Sequence, residues 1–109
     1  MELQVEALYN DIMEKLQKIL NTIEKTDRQI IKLLKKRFEL SGIMAKEKIG
    51  KGMKILDKLR EKELHEFYGK TAKAMGISEK FIKNLFNIIF TESRRKQKQS
   101  SKIDVKAKK

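Results

Sequence analysis

Apolar residues recur through the first part of the chain at Val5, Leu8, Ile12, Leu16, Ile19, Ile23, Ile30 and Leu34. The steps between them are three, four or seven residues, which keeps them on one stripe of an α-helix. No proline interrupts the stretch, and Gly42, at a cost of about 1 kcal/mol inside a helix, does not end one alone. The pattern predicts a helix from residue 2 to about residue 47, closed by Gly50 and Gly52, with Lys46 and Lys48 in its last turn. A second helix is expected over 54–74, stopping at Gly76. Ser78 suits the N-cap of a third, Glu79 falls in its first turn, and FIKNLFNIIF gives it an apolar face as far as about residue 97. The expected fold is all-α: three helices, the first of them very long.

That length has a consequence for assembly. At about 1.5 Å per residue, a helix of about 45 residues runs roughly 65 Å, about twice the diameter of a small domain. Two further helices of about 20 residues each cannot cover such a stripe. Part of it must pack on another chain, most simply in a two-fold dimer with the long helices side by side. An extended coiled coil is the alternative, against which the second and third helices argue.

Polar residues then occupy positions where the stripes call for apolar ones. Past Leu34 the first stripe continues through Arg37, Ser41, Met44 and Lys48. Arg37 and Lys48 are eleven residues apart, which leaves them about 20° out of phase on a helix. The third helix behaves alike: Ile82, Leu85 and Ile89 lead into Ser93 and Gln97. The second opens with Asp57, Arg60 and Glu61 close together. Each feature alone has a plain structural reading, since helix ends turn polar and charge clusters coat solvated faces. Together they suggest a shared polar pocket, because buried charges must be paired with each other or with a ligand.

The segments DRQIIKLLKKRFEL, Lys48, DKLREKE and ES-RRK-Q, spread over about residues 13–97, resemble the all-helical class of chorismate mutases. That resemblance implies an intertwined helical homodimer, with a chorismate mutase-like helical domain over 1–98. It also implies a cofactor-free and metal-free rearrangement of chorismate to prephenate, in the biosynthesis of phenylalanine and tyrosine. Matched position by position, Lys48, Gln97 and Glu61 would be catalytic, and Arg37, Asp57, Arg60 and Ser93 would bind substrate. One position departs from the family. The arginine that the family donates from the partner chain, seven residues before the aspartate matched by Asp27, falls on Leu20. Leucine cannot bind a carboxylate, and its neighbours one turn away, Leu16, Gln17, Ile23 and Glu24, offer no cation. Another basic residue, weaker substrate binding or a changed task would each answer that gap.

Composition narrows the alternatives. Without cysteine there is no disulfide and no thiolate nucleophile or metal ligand, and the single His65 cannot build a metal site alone. No apolar run approaches the roughly 20 residues of a membrane span, and the N-terminus does not read as a signal peptide, so a cytoplasmic protein is expected. The net charge of +12 is unevenly spread: residues 94–109 carry eight basic residues and one acid. Residues 99–109 are expected to form a basic, flexible tail, which also leaves open an acidic partner such as RNA. The competing readings are therefore a same-fold isochorismate-pyruvate lyase, an inactive regulatory relative, and a basic helical module that binds RNA or a partner helix.

Overall fold

A computed structural model describes the backbone of residues 1–54 and 57–107, and the side chains of residues 1–54 and 57–99. The chain is all-α, with α1 spanning Glu2–Gly50, α2 Lys58–Ala74 and α3 Glu79–Ala107. It divides into two compact units, Met1–Lys36 and Arg37–Lys109. None of the described helices is long and apolar enough to cross a membrane.

The first unit is helix alone. Its stripe residues Val5, Leu8, Ile12, Leu16, Ile19 and Ile23 are all exposed. Local contacts supplement the backbone ladder: Lys15 pairs with Asp11 one turn away, and Gln17 donates to Asn21. Thr22 and Thr26, poor helix formers by propensity, return their hydroxyls to the carbonyls of Lys18 and Thr22.

In the second unit, the end of α1 meets the α2–α3 pair, and among the described residues the core is small: Ala45, Ala72, Ile89 and Phe90 are the buried hydrophobic side chains. Tyr68, Phe86 and Phe90 pack as a tilted aromatic cluster between α2 and α3. His65 extends it, with Nε2 2.7 Å from the Lys83 carbonyl oxygen. Gly69 allows a close approach, since a Cβ there would lie 2.7 Å from Lys83 Cε and 2.9 Å from Glu79 Cγ. Lys83 joins the same two helices by donating to Glu66 and pairing with Glu79. The Glu66 hydrogen bond is the main reason its ammonium is held above the ordinary lysine range. That tie is therefore intact at neutral pH and weakens only as the pH climbs past that range.

Helix ends follow their glycines. At the end of α1 the Met53 N–H donates to the Lys48 carbonyl and Gly52 N–H to that of Ile49, with Gly52 at φ +69°. At the end of α2 the Ile77 N–H reaches the Ala72 carbonyl and Gly76 N–H that of Lys73, with Gly76 at φ +77°. Both are Schellman closures, in which the left-handed residue turns the chain so that two orphan carbonyls are satisfied. Ser78 caps α3 as expected, its Oγ accepting from the Phe81 N–H at 3.2 Å.

Two boundaries differ from the sequence expectation. The second helix starts at Lys58 rather than residue 54, because Asp57 is its N-cap: extended at φ −122°, it accepts from the Arg60 N–H. The third runs to Ala107 rather than about residue 97, since no Gly or Pro stops a stretch rich in Lys, Gln and Ser. The basic tail expected at 99–109 falls largely outside the described side chains.

The glycines make opposite predictions. Gly76→Ala should cost about 1–2 kcal/mol, because a Cβ is strained at positive φ. Gly50→Ala, on a helical backbone with nothing within 4 Å of the added carbon, should be neutral or stabilising by up to about 1 kcal/mol. Urea unfolding midpoints of the two variants measure both effects.

Candidate active site

All three helices of the second unit contribute to one hollow of about 150 Å³, lined by Arg37, Ser41, Lys48, Asp57, Arg60, Glu61, Leu64, Phe90, Ser93, Arg94 and Gln97. Every site residue expected from the sequence lines it, although those residues are spread over 61 positions, from Arg37 to Gln97.

Arg37 is the best-held of these side chains. Its Nη1 donates to Ser93 Oγ at 2.6 Å, and its guanidinium carbon lies 5.2 Å from the centre of the Phe90 ring. The ring accommodates the flat cation on its π-face, while the hydroxyl satisfies one donor. Ser93 is itself buried, so its hydroxyl would be costly to leave unpaired, and Arg37 supplies the hydrogen bond. Gln97 is held more loosely, donating from Nε2 to the Ser41 carbonyl at 3.4 Å. Lys48 lines the hollow from the last turn of α1, where the Schellman closure fixes its backbone.

The acidic side is arranged differently from a simple acid–base–acid cluster. Asp57 spends Oδ1 on capping α2, accepting from the Arg60 N–H at 3.0 Å. The Arg60 side chain, largely exposed, lies 3.5 Å from Glu63 rather than against Asp57 or Glu61. The guanidinium on Glu61 is that of Arg94, whose Nη1 donates to both carboxylate oxygens at 2.6 Å. Arg94 was not among the residues expected from the sequence, where it counts with the basic C-terminal run. A signal was available: Phe90, Ser93, Arg94 and Gln97 are spaced i, i+3, i+4 and i+7 and therefore share a face of α3. Beyond the hollow, Arg95 holds Glu92 below the ordinary carboxylate range by hydrogen bonding, and is itself raised by that contact.

A family model described as chorismate mutase type II matches residues 19–98. The chain belongs to that family. The match covers the second unit's helices as far as residue 98 and the part of α1 from residue 19 onward; residues 1–18 precede it. No curated protein matches the chain. Chorismate mutase membership fits an all-helical chain whose hollow is lined by guanidinium, ammonium, carboxylate, hydroxyl and amide groups.

The capping contact separates a structural from a chemical contribution of Asp57. Asp57→Ala should lose about 1 kcal/mol of stability, whereas Asp57→Asn should keep most of it, because an amide oxygen caps nearly as well. Thermal or urea unfolding of both variants checks this.

Proposed function

We propose that the protein is a chorismate mutase that converts chorismate to prephenate in the Arg37–Gln97 hollow. Membership of the family supports mutase activity in general terms. The observation that carries the specific reading is the convergence of Arg37, Lys48, Glu61, Ser93 and Gln97 on one cavity.

The reaction is unimolecular. A carbon–oxygen ether bond breaks while a carbon–carbon bond forms, and no proton, electron or group is exchanged with the protein. Catalysis then consists of holding a flexible dianion in its compact diaxial conformer and stabilising the charge that develops on the ether oxygen. Lys48 and Gln97 are the donors to that oxygen. Gln97 suits this role because its resting bond, at 3.4 Å, is weak and costs little to exchange. Arg37, steadied by Ser93 and Phe90, binds a substrate carboxylate. Glu61 accepts from the ring hydroxyl, and Asp57 and Arg60 border the same end of the hollow.

The working unit of this proposal is a homodimer. The exposed stripe of the first unit is the surface a second copy would cover, since apolar area removed from water contributes roughly 25 cal/mol per Å². Replacing Leu16 and Ile23 together with Asp should shift the sedimentation coefficient from dimer to monomer, or abolish folding. An unchanged dimer would exclude this stripe as the interface.

Loss of chorismate absorbance with formation of prephenate tests the reaction itself. Lys48→Ala and Gln97→Ala should each lower kcat by about 10²–10³-fold. An amide does not titrate, so Gln97→Glu should introduce activity that falls as the pH rises through the new carboxyl's pKa, a dependence the native residue cannot impose. Consumption of isochorismate with release of pyruvate, without turnover of chorismate, would instead favour the lyase reading that Leu20 keeps in view.

A further inference from the structure

The hollow is lined by four cations, Arg37, Lys48, Arg60 and Arg94, and two carboxylates, Asp57 and Glu61, a formal charge of +2. This balances a ligand with two carboxylates, and Arg94 supplies half of it. Leu20 brings no cation from any second copy, so in the absence of Arg94 the lining would carry only +1.

The way Arg94 is held leaves it able to act. A single nitrogen, Nη1, makes both contacts to Glu61, so the fork of the guanidinium is not committed there. Nη2 donates to the exposed Thr91 hydroxyl at 3.2 Å, a contact that water or a ligand replaces at little cost. Among the described residues, Nε makes no hydrogen bond. The edge formed by Nε and Nη2 can therefore take a carboxylate in the parallel two-bond geometry that guanidinium favours, while Nη1 stays on Glu61. Glu61 gains from the same arrangement. Its two oxygens offer about four lone-pair sites, which leaves room for a ligand hydroxyl. Both side chains are about one-third exposed, at 32% and 31%, so the pair is neither fully screened by water nor sealed from a ligand.

Resting on the reading of this hollow as a chorismate site, we propose that Arg94 is a substrate-binding residue that takes one of the two carboxylates, with Arg37 taking the other. One protomer then supplies both carboxylate-binding guanidiniums, and position 20 is released from that duty. Glu61 anchors Arg94 in advance, so little side-chain entropy remains to be lost when substrate arrives.

The experiment measures prephenate binding by calorimetry and chorismate turnover by absorbance. The proteins compared are wild type, Arg94→Val, Arg94→Gln, Glu61→Gln and the Glu61→Gln/Arg94→Gln double variant, with circular dichroism checking that each is folded. Loss of a charge-assisted carboxylate contact should raise the prephenate Kd and the chorismate KM by about tenfold or more, with a smaller fall in kcat. The double variant should bind at least tenfold more weakly than Glu61→Gln alone. An Arg94 variant that binds prephenate as wild type does overturns the proposal. So does a double variant equal to Glu61→Gln, because Arg94 would then act only through Glu61. If Arg94→Val does not fold, the polar, uncharged Arg94→Gln decides. Wild type that binds prephenate without converting chorismate would defeat the mutase reading, and the Kd of the Arg94 variants would still decide this inference. Wild type that neither binds prephenate nor converts chorismate defeats both; if it converts chorismate alone, the KM of the Arg94 variants decides this inference.

Discussion

The guanidinium of Arg37 is the point on which the second unit's architecture depends. A half-buried cation must find acceptors or a π-face, or the helix that carries it stays in water. Arg37 finds both on α3, through the Ser93 hydroxyl and the Phe90 ring. The interaction ties the end of α1 to the middle of α3 and sets the wall from which Lys48 and Gln97 face the same hollow. Around it the apolar core is modest, and no large side chain among the described residues is fully buried. Polar contacts therefore carry much of the structural definition, and they line the hollow proposed as the site.

Two kinds of ion pair coexist in this unit and do different work. Lys83 with Glu66 and Glu79, and Arg95 with Glu92, stand away from the hollow, each with at least one exposed member that water screens. Arg94 with Glu61 borders the hollow and is partly withdrawn from solvent. On the proposed reading, a pair in that position orients groups for a ligand that carries charge of its own. The asymmetry of the Arg94 contact, one nitrogen on two oxygens, is what gives the pair this capacity.

The first unit poses a different physical question. Its exposed leucines, isoleucines and valine occupy one stripe, and an isolated helix gains little stability from propensity alone. A partner surface is the natural resolution, and the proposed second copy supplies it without any further component. The residues that line the hollow all fall between Arg37 and Gln97.

Much of this was legible in the sequence by itself. Periodicity marked the first and third helices, Gly52 and Gly76 marked two helix ends and so bracketed the second, and Ser78 marked the start of the last. These are local effects, governed by side-chain spacing and by the backbone freedom of single residues. Polar positions on two stripes marked Arg37, Lys48, Ser93 and Gln97, and the resemblance to the chorismate mutases set them beside Asp57, Arg60 and Glu61 in one expected site. Tertiary structure alone decided which groups compensate which. Arg60 sits within the cluster by sequence yet turns to Glu63, and Asp57 spends an oxygen as a cap. Arg94, counted by sequence with the basic C-terminal run, instead takes Glu61 from 33 residues away. Pairing of that kind depends on where three separate helices meet, and no spacing along one helix encodes it.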